Sequence, residues 1–292
     1  MFEAIPSDFL VPFDGSFRVA AAPTGPPEGV RGKKALKSEL KDHIKRVHTM
    51  QDVLYAADRK SVLLVFQAMD AAGKDGTIRA VMTGINPAGC QVVSFKQPSK
   101  EELDHDFLWR TTRKLPERGR IGIFNRSYYE EVLVVKVHPG ILEHQRLPWR
   151  TDAPDVWEHR LASIRDFEEH LARNGTVVLK FFLNVSRGEQ KRRFLDRIDE
   201  RSKNWKFSAG DVRERQHWDD YMVAYQDALR ATSRPWAPWY AIPADNKSFM
   251  RATVADIVAS TLESLGLRYP ELDETERSRL DEMRALLMAE SD

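Results

Sequence analysis

The sequence predicts an α/β fold, with a central parallel sheet and helices on both faces. Three observations carry this. Short apolar runs recur at residues 62–66, 92–95, 121–124 and 176–185. Stretches with helical spacing lie between them, the alternation that builds βαβ units. The first run, VLLVF, does not alternate polar with apolar, so it reads as a strand buried on both faces, as parallel sheets require. Ligands of such sheets sit beyond the carboxyl ends of the strands. The informative residues are therefore those just after Phe66, Phe95, Phe124 and Val185.

Taken in order, residues 1–31 are rich in Pro, Gly and Ala (AAAPTGPPEG) and read as an extended arm. From Gly32, apolar side chains at Leu36, Leu40, Ile44, Val47, Leu54 and Ala57 predict a helix with one buried stripe. The strand 62–66 leads through a loop to a helix starting near Gly76. A strand at 92–95 precedes a helical stretch over 101–114, and a third strand covers 121–124. A helix over 155–173 leads to the strand 176–185, and another helix runs from about Arg187. WYAIPA, near Trp239, gives a further strand, and a helix follows over 250–265. Trp236, Trp239 and Tyr240 read as core. From Glu271 onward there are 8 acids and 3 bases, which leaves a surface helix and a frayed tail both open. The expected organisation is one catalytic body over 32–270, flanked by the arm and by an acidic segment at 271–292.

Composition narrows the class. A chain of 292 residues, 42% hydrophobic and 30% charged, can bury a real core. The net charge of +1 gives no global attraction for nucleic acid or an anionic membrane. The single cysteine, Cys90, excludes an intramolecular disulfide and fits a reducing compartment. The N-terminus, MFEAIPSDFL, carries acids where a signal peptide needs a basic start. No apolar stretch approaches the ~20 residues of a membrane span. These features predict a soluble cytoplasmic protein.

The chemistry starts right after the first strand. The standard phosphate loop (Walker A) reads G-x-x-x-x-G-K-[ST]. Here the aligned stretch is AMDAAGKD, from Ala68 to Asp75. Gly73 and Lys74 fit the pattern; Ala68 replaces the first Gly, and Asp75 replaces the hydroxyl. Thr77 comes two residues too late to be the usual Mg²⁺ ligand. A strand before the loop and a helix after it favour an anion over Ala71, Ala72, Gly73, Lys74, Asp75, Gly76 and Thr77. The alternative is an ordinary strand-to-helix turn. Asp70 beside a phosphate is repulsive unless a cation lies between them. It is therefore expected to face Mg²⁺, with a turn-capping role as the alternative.

The third strand ends in IFNRSYYEE. Nucleotide enzymes often carry a metal-holding acid at this strand end, but Asn125 stands here. Arg126 follows, a side chain suited to gripping phosphate. Glu130 and Glu131 lie within about one helical turn of it. They are open to pairing with Arg126, to a metal or acceptor contact, and to a solvated helix face. Two basic clusters stand out. Residues 110–126 hold six bases and one acid, among them Arg118. Residues 187–206 hold eight bases and four acids, among them Arg193, Arg197 and Lys206. The second cluster is expected to form a flap that closes over a transferring phosphate, against the bland reading of a solvated helix with internal ion pairs. Two clusters exceed the needs of one nucleotide and suggest a long polyanion. The eight histidines are scattered, with no metal-ligand spacing and no G-x-S-x-G.

Read together, the motifs resemble the polyphosphate kinase 2 family over about residues 32–267. The resemblance rests on QAMDAAGKDGTIR (67–79), INPAG (85–89), FLWR (107–110), IFNRSYYEEVLV (123–134), KFFLNVS (180–186), NWKFSAGD (204–211) and APWYAIPADNK (237–247). It implies a P-loop kinase fold of the thymidylate-kinase type, three-layered, with a helical lid at about 187–210. It implies reversible, Mg²⁺-dependent transfer of a terminal phosphate from inorganic polyphosphate to a nucleotide, with Mn²⁺ as the alternative metal. A homo-oligomer, dimer or tetramer, is also implied. Carried over by residue, Asp70, Lys74, Arg126 and Arg193 are catalytic. Lys74, Arg126 and Arg193 line the polyphosphate path, to which the basic clusters add Arg118, Arg197 and Lys206 as binding candidates, and Asn125 departs from members with Asp at that position. Glu130 points to the branch that accepts both AMP and ADP, giving ADP and ATP. Two rivals remain. An ATP-dependent nucleotide kinase is disfavoured by Asp75 in place of Ser or Thr. A nucleic-acid-binding module is disfavoured by the near-neutral charge and the lack of an aromatic-basic RNA motif.

Overall fold

The computed structural model describes residues 2–148 and 155–290, and of Lys206 the backbone alone. The apolar stripe from Gly32 folds as α1 (Lys33–Ala57), burying Leu36, Val47 and Leu54. Then comes β1 (Ser61–Gln67), buried at every position. The phosphate loop follows, and α2 (Lys74–Val81) begins two residues before its expected start. β2 (Cys90–Ser94) is an edge strand with partly exposed residues. The helix expected over 101–114 is instead two single turns, α3 (Lys100–Leu103) and α4 (Trp109–Thr112). Asp106 Oδ1 accepts from Leu108 N at 2.9 Å between them, a local bond that competes with helix continuation.

β3 (Ile121–Asn125), α5 (Val134–Val137), α6 (Val156–Arg173), β4 (Thr176–Asn184) and α7 (Arg187–Asp199) follow. After α8 (Ala209–Glu214) comes α9 (Trp218–Thr232), beyond the elements expected from sequence. Its buried Trp218, Tyr221, Tyr225, Ala228 and Thr232 lie three and four apart, a helical signal that the sequence carries. β5 (Trp239–Pro243) is fully buried. α10 (Lys247–Ser264) packs on α1, and α11 (Glu274–Ala289) has no buried residue.

The sheet order is β2-β3-β1-β4-β5, and all four pairings are parallel. Phe66 is level with Asn125 on one side and with Phe181 on the other. The loops that leave β1, β3, β4 and β5 thus emerge at one end of the sheet, where ligands of such folds bind. Residues 9–11 of the arm run along the free edge of β5. Val11 N donates to Trp239 O at 2.9 Å, and Ala241 N donates to Phe9 O at 2.8 Å. Covering the edge hides backbone groups that would otherwise pair with another chain. Among the described residues, no helix is long and apolar enough to cross a membrane.

Candidate active site

The loop from β1 to α2 reverses direction through Ala71 (φ 60°) and Gly73 (φ 110°). The second angle is one that side chains other than glycine rarely adopt. Lys74, the first residue of α2, turns its Nζ back to Ala68 O at 2.7 Å. Burial first, and then the nearby Arg126 guanidinium, lower its pKa to about 8 against the pull of Asp70, Glu130 and Asp75. A lysine so placed loses its charge as pH rises through 8, well below the ordinary lysine range. We therefore expect kcat/KM to fall above about pH 8, through loss of the Lys74 charge. Lys74→Arg should flatten that limb, because arginine stays charged. A pH–rate profile that is unchanged in the arginine variant would assign the limb to another group.

Arg126 organises the loop after β3. Its backbone takes φ 64°, and its N–H donates to Phe66 O at 3.1 Å, stitching the β3 loop to the end of β1. The guanidinium forks, Nη2 donating to Asp70 Oδ1 at 2.7 Å and Nη1 to Glu130 Oε2 at 3.0 Å. Gln67 Nε2 donates to the other oxygen of Glu130 at 3.0 Å. Asp70, Arg126 and Glu130, 60 residues apart at the extremes of the sequence, thus border one hollow, with Lys74 close enough to feel their charges. Glu131 turns the other way. It is buried and bonds Arg160 Nε at 3.0 Å and Gln145 Nε2 at 2.9 Å, so it is not on a solvated face.

Asn125 Nδ2 donates to Asp75 Oδ1 at 2.6 Å. Asp75, which replaces the phosphate-loop hydroxyl, and Asn125, which replaces the acid usual at the end of β3, therefore face one another. The carboxylate usual at the β3 end is supplied instead by Asp75, in the first turn of α2. No group of three metal-ligating His, Cys, Asp or Glu occurs among the described residues. That is compatible with Mg²⁺, which takes one or two carboxylates and completes its shell with substrate phosphates and water. Asp70, with only Oδ1 committed to Arg126, fits such a partial site.

Other expected site residues are placed differently. Thr77 is fully buried, and its hydroxyl donates to Gly73 O at 3.0 Å within its own helix, so it cannot reach a phosphate. Arg118 lies at the opposite, amino end of the sheet, donating to Arg59 O and Asn174 O at 3.0 and 3.3 Å. A five-residue strand separates it from Arg126, about 17 Å of chain, so the two do not share a site. Arg193 is buried, with its guanidinium spent on protein groups. Arg197 lies 3.5 Å from Asp211, while the Lys206 side chain lies outside the described residues. Gly76 has a packing reason, since a Cβ there would sit 2.9 Å from Arg251 Nη2.

A cavity of about 700 Å³ opens beside the cleft, the size of a small-ligand pocket. Phe95, Phe107, Arg110, Val135, His138 and Gln145 are among its walls. It meets a second hollow lined by Asp70, Gln190, Asp211, Tyr221 and Tyr225, and Arg126, Glu130, Val134 and Glu214 border both. Sequence reasoning missed most of these walls because they come from five separate elements. It also missed a buried support. Lys180 Nζ bonds Glu168 and donates to Thr232 O at 2.8 Å, and both Tyr128 and Tyr129 donate to Glu168 Oε1. Burial pushes Glu168 up and Lys180 down, to about 8. The two tyrosines fall between Arg126 and Glu130 in the chain, so this pair anchors the loop that carries both from below.

The sequence profile of polyphosphate kinase 2 (PPK2) matches residues 31–268. The chain belongs to the polyphosphate kinase 2 family. An ADP-polyphosphate phosphotransferase of Rhodopseudomonas palustris is 57% identical over 85% of this chain and 86% of its own. An AMP/ADP-polyphosphate phosphotransferase of Meiothermus ruber is 45% identical over 82% of this chain and 86% of its own. The crystal structure of polyphosphate kinase 2 from Arthrobacter aurescens TC1 superposes with a TM-score of 0.88 at 36% identity, covering 99% of both chains. The protein is a polyphosphate:nucleotide phosphotransferase with the P-loop kinase fold, as the sequence resemblance implied. The altered phosphate loop belongs to that catalyst.

Proposed function

We propose that this enzyme phosphorylates both AMP and ADP from polyphosphate. The observation that carries the reading is that Arg126 and Glu130 stand where a nucleoside-sized cavity meets the phosphate loop. The acceptor base would occupy the cavity, with its phosphates toward Arg126. Glu130, with both oxygens held by Gln67 and Arg126, then marks how far the acceptor's phosphate chain extends. The Meiothermus ruber relative is named for both acceptors and the Rhodopseudomonas palustris relative for ADP alone.

The donor would approach from the α2–α10 side. Arg251 is pushed below its ordinary range by burial and by Arg79 and Arg193. Lys247 is likewise lowered by burial and by Arg193 and Arg192. Arg251 Nε is buried without a hydrogen-bond partner. A cationic cluster that repels itself and leaves a donor unmet is suited to a polyanion.

In this reading an acceptor phosphate oxygen attacks the terminal phosphorus of polyphosphate in line. The bond to the bridging oxygen breaks, and the shortened chain leaves with the negative charge. Lys74 and Arg126 neutralise charge on the transferred group, and Asp70 orients Arg126. No protein nucleophile is needed, because positioning and charge neutralisation carry such transfers. Mg²⁺, or Mn²⁺ in its place, would be held by Asp70 and the phosphates and would screen their repulsion.

The test incubates purified enzyme with AMP, long-chain polyphosphate and Mg²⁺, without ATP, and resolves nucleotides over time. ADP followed by ATP is the expected result. ATP from added ADP with nothing from AMP would restrict the enzyme to ADP and overturn the dual-acceptor assignment.

A further inference from the structure

A phosphate loop must turn its backbone N–H groups toward the anion. Its carbonyls then point back into the protein, where each needs a donor. All six carbonyls from Ala68 to Gly73 have one. Ala68 O takes Lys74 Nζ at 2.7 Å, and Met69 O takes Ala72 N at 3.2 Å. Asp70 O takes Gln190 Nε2 at 2.8 Å. Ala71 O and Ala72 O both take Arg193 Nη1, at 3.1 and 2.6 Å. Gly73 O takes Thr77 N and Oγ1, each at 3.0 Å.

Arg193 does more than serve two of these. Its Nη2 donates to Ala244 O at 2.6 Å and Asp245 O at 3.2 Å, in the loop between β5 and α10. Its Nε donates to Glu189 Oε1 at 2.7 Å. A guanidinium has five N–H donors, and all five are used. The residue is only 4% exposed, so it has neither a free donor nor a free face for phosphate. Gln190, one turn away and 1% exposed, is held in turn by Arg215, which donates to its Oε1.

We propose that Arg193 is a positioning residue, not a polyphosphate-contacting one. With Gln190 it holds the carbonyl side of the phosphate loop in its left-handed turn at Ala71, and it ties that loop to the one carrying Lys247. The donor chain is then met by Lys74, Arg251 and Lys247. The inference rests on polyphosphate being the donor only for its kinetic readout.

The test compares Arg193→Gln, Arg193→Lys and Gln190→Met with wild type. In ligand-free protein, amide hydrogen exchange over residues 68–77 is expected to speed up at least about tenfold in all three. Lysine has three donors on a point charge and cannot span four carbonyls, so Arg193→Lys should lose kcat about as fully as Arg193→Gln. The slope of log Kd for polyphosphate against log salt, which counts contacted phosphates, should stay at its wild-type value. In Arg251→Gln it should fall by about one contact. Unchanged exchange, with rescue of kcat by lysine and a shallower slope in Arg193→Gln, would make Arg193 a phosphate contact and overturn the proposal. If Arg193→Gln does not fold, the exchange rates of the other two variants decide. A wild-type enzyme that does not bind polyphosphate would refute the donor reading while leaving the exchange result standing.

Discussion

Lys74→Ala is expected to cut kcat with polyphosphate by a factor on the order of 10²–10³, the usual cost of removing one preorganised charge from a developing anion. Lys74 is the cation at the start of α2, with its Nζ gathered against the loop at Ala68 O. Arg126 cannot replace it, because its fork is already divided between Asp70 and Glu130. Polyphosphate binding itself should weaken only modestly, since Lys247 and Arg251 remain. Steady-state kinetics and equilibrium binding on the same preparation check the two halves. The substitution also removes a donor from Ala68 O, so Tm is measured alongside. A folded variant that keeps kcat but loses binding would make Lys74 a docking charge only.

Glu168→Ala is expected to destabilise the fold by about 3–5 kcal/mol, the range for removing one partner of a buried ion pair. The carboxylate is 1% exposed and accepts from Lys180, Tyr128 and Tyr129, and Lys180 has no exposure at all. Alanine leaves an ammonium and two hydroxyls buried with fewer partners, and this penalty exceeds the net worth of the pair. At about 2–4 °C per kcal/mol for a chain of this size class, Tm should drop by roughly 10 °C. Glu168→Ala combined with Lys180→Met should recover part of the loss, because no uncompensated charge remains. Because Tyr128 and Tyr129 sit in the loop between Arg126 and Glu130, any folded Glu168→Ala protein should also lose activity. A change in Tm below about 2 °C would show that water or a shifted side chain replaces the carboxylate.

β1, β3, β4 and β5 were legible because each is a short, mostly apolar run buried on both faces, and they fall within a few residues of their expected positions. The phosphate loop was legible because Gly73 and Lys74 keep the spacing that the backbone turn demands. Two helical readings failed. Residues 101–114 have helix-forming composition, yet the Asp106 side chain bonds the local backbone instead. α9 carries a clear three–four spacing but stands between a basic stretch and a Pro-rich turn, with no strand on its amino-terminal side to frame it.

Charge was the least reliable guide. Residues 110–126 are a cluster only along the chain. β3 carries the backbone from one end of the sheet to the other, leaving Arg118 behind at Arg59 and Asn174 while Arg126 reaches the cleft. The basic stretch of α7 is similarly divided. Arg192 pairs with Glu189 and Asp196 at the surface, and Arg193, its neighbour, is buried against four backbone carbonyls.

By itself the sequence determined the fold class and the family, because each depends on local pattern: burial period, turn residues and motif spacing. Only the tertiary structure decided which arginines are free to meet phosphate, that Asp75 and Asn125 face each other, and that Glu168 and Lys180 support the catalytic loop. Those outcomes depend on which donors and acceptors meet across elements far apart in the chain. A guanidinium reads the same in sequence whether its five N–H groups await a substrate or are already spent on carbonyls.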